Sequence, residues 1–330
     1  MFLNVHSIRQ IALNFFPAVV YFFFALLILD GIRLIFWLRH TPFSQIQTAA
    51  GIGIAIILTI FILIYGALNA RYIRPTPYSI TIEKSAGGST LRLALVSDLH
   101  IGRTIDRKWV ANKVDAINLV KPDIVCLVGD IFDGGIDAVR DLEGVAQELK
   151  RLDAPLGVFA CPGNHDVDRL SLAALREGAT TDRLEEFFVT AGVNYLQDEI
   201  VLVDGRFYLA GRRDVRPIGL RHERISAAEL VGSLEKSKPL IVMDHQPVDY
   251  PNIEEAGADL ILSGHTHRGQ FFPGNIATNW IFKNAGATHY GYWQGKTAQA
   301  VVTSGVGVWG PSIRIGTKSE VAVLNIKFGK

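Results

Sequence analysis

The chain has 330 residues, a formal net charge of +1 and 49% hydrophobic residues. That composition excludes a disordered chain and a strongly basic phosphate-backbone binder, so no nucleic-acid partner is expected, and no protein partner is implied. Two cysteines, Cys126 and Cys161, are too few for a disulfide framework and sit among apolar residues, which reads as packed thiols.

The hydrophobicity is concentrated at the N-terminus. From Ile11 to Leu29 the chain reads "IALNFFPAVVYFFFALLIL" without a charge, and between Arg39 and Arg71 there is no Asp, Glu, Lys or Arg. A bilayer-spanning helix needs about 20 apolar residues, and both stretches qualify once their flanks are included. The first continues past Asp30 into "IRLIFWL" and lacks a small-residue cleavage site, unlike a cleaved signal peptide. Two transmembrane helices are expected within residues 1–72, followed by a separate domain over 73–330. A single span with an interfacial helix is the alternative. Arg9, Arg71 and Arg74 would lie on one side, Arg39 on the other with Arg33 close by. The positive-inside rule therefore favours an inner or plasma membrane protein with its C-terminal domain in the cytoplasm.

After "RYIRPTPYSI", where two prolines interrupt any helix, strands and helices alternate. "LRLALVSDLH" (91–100), "PDIVCLVGD" (122–130) and "GVFACPGNHD" (157–166) read as buried strands with polar tips. "KWVANKVDAINLV" (108–120) and "LEGVAQELKRL" (142–152) have helical spacing between them. "PLIVMDHQP" (239–247) and "ADLILSGHTH" (258–267) repeat the strand-plus-polar-tip design. "AQAVVTSGVGVWG" and "EVAVLNIKF" look like further strands joined by glycine turns. This order implies right-handed βαβ units and a largely parallel sheet, whose ligands bind beyond the carboxyl ends of the strands.

Those ends carry Asp98, His100, Asp130, Asn164, His165, His245, His265 and His267, including five of the nine histidines. Each piece alone reads as a turn or an ordinary core histidine; together they form a set that a parallel sheet would gather. Carboxylates, imidazoles and one amide oxygen without thiolates suit Mn²⁺, Fe or Zn²⁺ rather than a structural zinc site. That many donors exceed what one ion needs, whereas two divalent ions about 3.5–4 Å apart that share a carboxylate would use them.

"SDLH", "VGD", "GNHD", "DH" and "GHTH", in this order, resemble the signature blocks of calcineurin-like metallophosphoesterases, a likeness that runs from Leu91 to the C-terminus. "TSGVGVWGPSIRIG" with "EVAVLNI" further resembles a bacterial branch of membrane-associated phosphodiesterases. The resemblance implies an α/β fold, a four-layer sandwich with two packed mixed sheets. It implies a first metal on Asp98, His100 and His267, a second on Asn164, His245 and His265, and Asp130 bridging them. His165 would protonate the leaving oxygen and Asp166 would orient its imidazole. The reaction implied is hydrolysis of a phosphodiester or pyrophosphate by a hydroxide held between the ions.

Two spans point to a lipid bilayer partner and a lipid-linked phosphate ester as substrate. UDP-2,3-diacylglucosamine pyrophosphatase, a nuclease, a cyclic-nucleotide phosphodiesterase and a metal-bound membrane scaffold without turnover are the competing readings. Residues 167–186 read as a lid or a plain surface helix. Arg103, Arg212, Arg213 and Arg314 are candidates for anion contacts.

Overall fold

In the computed structural model the chain is described except at residues 1–4, 88–89, 103–106, 167–181, 216–223, 233, 285–286 and 330. Arg103 and most of the 167–186 segment therefore lie outside the described residues. The chain divides into two compact units. One runs up to Tyr72 and includes Gly310–Ile315; the other comprises Ile73–Trp309 and the residues from Gly316 on.

The first unit contains two helices, α1 (Val5–Leu38) and α2 (Gln45–Arg71). Helix α2 starts at a capping box, in which Ser44 accepts from the Gln47 N–H while the Gln47 side chain accepts from the Ser44 N–H. Both helices are long and apolar enough to cross a membrane, and large side chains such as Phe23 and Ile57 stand more than half exposed. Asp30 and Arg33 pair at 2.8 Å within α1. The segment Gly310–Ile315 is tied to α2. The Arg314 N–H donates to the Gly66 carbonyl at 2.9 Å, and Asn69 Nδ2 donates to the Arg314 carbonyl at 2.9 Å.

The second unit opens with β1 (Ile73–Ser85), β2 (Thr90–Val96), helix α3 (Arg107–Leu119) and β3 (Ile124–Val128). Then come α4 (Leu142–Leu149), β4 (Val158–Cys161), α5 (Asp182–Thr190), β5 (Asn194–Tyr195), β6 (Glu199–Val203) and β7 (Phe207–Gly211). Helix α6 (Ala227–Val231), β8 (Leu240–Met243), α7 (Tyr250–Glu255), β9 (Leu260–Ser263) and α8 (Gly274–Asn284) follow. The last strands are β10 (Gly291–Gln294), β11 (Gln299–Val302) and β12 (Ser319–Gly329). They form two six-stranded mixed sheets, in the orders β1-β12-β2-β3-β4-β5 and β10-β11-β9-β8-β7-β6.

The period-two alternation of strands builds the four layers. Leu91, Leu93 and Leu95 of β2 and Cys126 of β3 point inward with Cys161. There they meet Leu209, Ile241, Met243 and Leu262 from the other sheet. Ala94, Val96, Val125 and Leu127 point outward onto Val110 and Val114 of α3, Val145 of α4 and Phe188 of α5. On the far side Val242 and Ile261 pack against Ala227, Tyr250 and Ile253 of α6 and α7. The four-layer arrangement is therefore present, and both cysteines are buried, unbridged core residues.

The "RPTP" stretch departs from the sequence reading, which took its prolines only as a break. It lies within β1, paired in parallel with β12. Strand β1 is at the edge of its sheet, where a missing N–H leaves no unpaired neighbour. The described end of the 167–186 segment enters α5, whose Phe187 and Phe188 are core residues.

Leu93 is fully buried between the sheets, whereas Leu202 is 46% exposed. Leu93→Ala is expected to destabilise this unit by about 2–5 kcal/mol. Leu202→Ala should stay within about 0.5 kcal/mol, as read by thermal unfolding of the detergent-solubilised chain.

Candidate metal centre

Five parallel-paired strands, β2, β3, β4, β8 and β9, end where the polar residues begin. Their tips deliver Asp98 and His100, Asp130, Asn164 and His165, His245, and His265 and His267 to one place. The loops turn abruptly there. Asp98, His100, Asp130, His265 and His267 all have φ between 48° and 69°. Asp and His tolerate this left-handed conformation better than most residues, at a cost of order 1–3 kcal/mol each. The backbones also crowd: a Cβ on Gly264 would fall 2.7 Å from Asp98 Oδ2.

Three groups of ligand atoms result, Asp98/His100/His267, Asp130/His245/His265 and, sharing His100 towards the rim, His100/Asp133/His165; the first two are buried most deeply. In the first, His100 Nε2 faces His267 Nε2 at 3.0 Å, and Asp98 Oδ1 lies 3.3 Å from His267 Nε2 and 3.9 Å from His100 Nε2. In the second, Asp130 Oδ2 is 3.1 Å from His245 Nε2; it also lies 3.8 Å from His100 Nε2, which places Asp130 between the groups.

The donors fit cations. Asp98 Oδ1 and Asn164 Oδ1 are buried without a hydrogen-bond partner, and His245 Nε2 has the Asp130 carboxylate beside it. An unpaired buried polar atom is costly, and two buried oxygens left without a donor call for a cation. Ligand atoms about 2.0–2.2 Å from one ion would stand roughly 3 Å from each other, as the facing imidazole nitrogens do. The other edges of the site are hydrogen-bonded. Asp98 Oδ2 accepts from Ser97 Oγ and from the His265 N–H, Asp130 Oδ1 accepts from the His165 N–H at 2.9 Å, and His245 Nδ1 lies 2.8 Å from the Val128 carbonyl. That last contact fixes the imidazole tautomer and turns Nε2 to the centre.

Electrostatics agree with this reading. Burial, with the charge of His245 added, depresses the His265 pKa to about 3, so its imidazole is neutral and able to ligate. Burial likewise lowers His100. Burial also disfavours charge on His245, but the adjacent Asp130 carboxylate outweighs it and holds the pKa well above the ordinary value. Cation binding there would displace a proton.

His165 lies at the rim, its ring edge-on to His100 at 5.1 Å and to Trp309 at 6.4 Å. The expected Asp166 partnership is corrected by the structure. Asp166 Oδ1 accepts from the Phe132 N–H at 2.8 Å and Oδ2 from the Gly163 N–H at 2.7 Å, so it staples the β3 and β4 loops together. Burial and the charge of Asp130 push its pKa up to about 7. The carboxylate against the His165 ring is Asp133, with Oδ1 3.5 Å from Nδ1. Burial lowers His165, but Asp133 and Asp130 outweigh it and raise its pKa. Sequence reasoning missed Asp133, although "GDIFD" places it three residues after Asp130.

The arginine candidates also change. Arg212 is fully buried and spends Nη1 on Asp244 at 2.9 Å and Asp249 at 2.8 Å, with Arg224 joining both carboxylates. Arg213 lies beside Asp198 at 3.6 Å, and Arg314 belongs to the helical unit.

The profile of the calcineurin-like phosphoesterases matches residues 91–269, more than half of the chain. The chain belongs to the calcineurin-like phosphoesterase family. A metallophosphoesterase of Campylobacter jejuni is 28% identical over 325 residues, covering 96% of this chain and 81% of that protein. A metallophosphoesterase of Helicobacter pylori is 30% identical across 79% of this chain and 65% of its own length. A transmembrane protein with metallophosphoesterase domain from Danio rerio is 27% identical across 83% of this chain and 62% of its own length. The calcineurin-like phosphoesterases are dimetal-dependent, and the two donor groups here are candidate ligands for such a pair.

The protein purified with Mn²⁺ is expected to carry two equivalents by elemental analysis. His245→Ala should bring this towards one, because only the second donor group loses a member.

Proposed function

We propose that this chain is a membrane-anchored, dimetal-dependent phosphodiesterase or pyrophosphatase acting on a lipid-linked substrate. The observation that carries the dimetal reading is Asp130, whose carboxylate stands between two donor groups with unpartnered ligand atoms facing inward.

In this reading Asp98, His100 and His267 hold one divalent ion, Mn²⁺, Fe or Zn²⁺, and Asn164, His245 and His265 hold the other. Asp130 serves both. Such a pair, when bound, supplies an acidified water and offsets charge on the phosphoryl oxygens. The chain's own residues do the rest. His165, at the rim and more basic than a free imidazole, keeps a proton to pass to the leaving oxygen. Asp133 aligns its ring and stabilises that proton. Asp166, bonded to the backbone on both sides, keeps the Asp130 and Asn164 loops in register.

Two helices of spanning length support anchoring, as does a relative whose name places it in a membrane. The distribution of Arg9, Arg71 and Arg74 against Arg39 favours a cytoplasmic catalytic unit. A tethered enzyme meets substrates whose tails remain in the bilayer, so diesters and pyrophosphates with a lipid arm fit better than soluble monoesters.

The test is to assay the detergent-solubilised, Mn²⁺-loaded protein on bis-p-nitrophenyl phosphate, p-nitrophenyl phosphate and a nucleotide-linked glycolipid. The diester and the glycolipid should be preferred; preference for the monoester would sink the diesterase reading. Asp130→Ala should abolish both metal loading and turnover. His165→Ala should retain the metals and lose about 10²–10⁴-fold in rate; loss of metals instead would remove its leaving-group role. Asp133→Asn should keep the metals. Because Asp133 raises the His165 pKa, its loss should move the high-pH limb of the kcat profile, where the proton on His165 is lost, to lower pH.

A further inference from the structure

Helix α8 starts seven residues after His267 and is anchored beside it. Gly269, with φ 72°, lies so close to Gly274 and Asn275 that a Cβ there would clash with their backbone. Yet no residue with a described side chain in α8 is buried. Ile276, Trp280 and Ile281 of α8, Phe272 just before it, and Trp309 are 43–67% exposed. Isolated helices of this length are marginal in water and are normally held by burying an apolar face. This one leaves Ile276, Trp280 and Ile281 more than half exposed.

The patch borders the metal centre. The Trp309 ring is edge-on to the His165 ring at 6.4 Å. Its backbone is clamped by Gln270, whose Oε1 accepts from the Trp309 N–H and whose Nε2 donates to the Trp309 carbonyl, both at 2.8 Å. The rim beside the candidate proton donor is thus an exposed indole on a backbone pinned by Gln270.

We propose that α8, with Phe272 and Trp309, is an interfacial docking face that lays this rim of the metal centre on an anionic bilayer surface. Three observations favour a bilayer over another protein. The unit begins at Ile73, with only Tyr72 between it and the end of the 27-residue apolar helix α2, so the chain enters it directly from a helix of membrane-spanning length. The exposed residues are Trp, Phe and Ile beside Lys283, the composition of helices that lie in the interface plane. Between Asp259 and Glu320 the sequence has no acidic residue, while Lys283 and Lys296 are exposed and Arg268 is partly so, which suits anionic headgroups. A phosphodiester held by its lipid tail would then slide past Trp309 to His165 without leaving the bilayer. That last step rests on the lipid-substrate reading above; the docking itself does not.

The full chain, reconstituted in phosphatidylethanolamine–phosphatidylglycerol vesicles with brominated acyl chains, tests this. Tryptophan emission of the wild type should be quenched, and Trp280→Phe should lose a share of that quenching. Ile276→Asp/Trp280→Asp should lower the rate on a vesicle-embedded phosphodiester by about tenfold or more while leaving the rate on soluble bis-p-nitrophenyl phosphate unchanged. If that double variant loses both rates, the Trp280→Phe quenching decides. Unchanged quenching in Trp280→Phe would overturn the docking face. So would efficient cross-linking of Ile276→Cys between copies in place of quenching, because a second copy would then cover the face. Quenching of Trp280 without hydrolysis of any lipid-borne diester would keep the docking face and remove the lipid-substrate reading.

Discussion

Asp98 and Asp130 are buried carboxylates set within a few ångströms of imidazole nitrogens, and the arrangement closes only around positive charge. Each has one oxygen satisfied by hydrogen bonds, Asp98 from Ser97 and the His265 amide, Asp130 from the His165 amide. The other oxygen of each is directed at the centre, with Asp98 Oδ1 unpartnered. Taking such charges out of water is costly unless they are paired. The fold meets that requirement by setting the raised-pKa imidazole of His245 against Asp130 and collecting around them His100 and His265, whose charged forms burial disfavours, a donor set that suits cations. The left-handed backbone at five of these residues is a second cost borne at the same place.

The two sheets make this arrangement possible. Inward and outward residues alternate along β2, β3, β8 and β9, so each strand is buried on both faces and its position is fixed by packing. Polar residues two to four positions past the last strand residue inherit that precision. The Arg212–Asp244–Asp249–Arg224 network pins Asp244, the residue before His245, with two guanidinium groups. Arg212, a candidate for anion contacts in the sequence, is instead buried and committed to Asp244 and Asp249.

Much of this was legible in the sequence because βαβ topology turns chain order into spatial proximity. Strand-tip residues far apart in number, such as Asp98 and His267, must converge once the strands are parallel neighbours. The signal failed where local chemistry misled. Pro75 and Pro77 were read only as a break in any helix, whereas they lie in a strand whose edge position admits them. Asp166, adjacent to His165 in sequence, was given the role that Asp133 fills in space, because the turn after β4 sends its carboxylate back to two amides. The positive φ of Asp98 or His265 leaves no trace in residue type, since these residues are chosen for ligation. The exposed apolar side chains of α8 were not anticipated from the sequence, since exposure depends on what packs over the helix.

The account depends most on Asp130 joining two cation sites. Anomalous diffraction from crystals of the Mn²⁺-loaded protein addresses this directly. Two manganese peaks about 3.5–4 Å apart are predicted, one among Asp98, His100 and His267, the other among Asn164, His245 and His265, with an Asp130 oxygen between them. A single peak, or two peaks of which Asp130 touches only one, would contradict it.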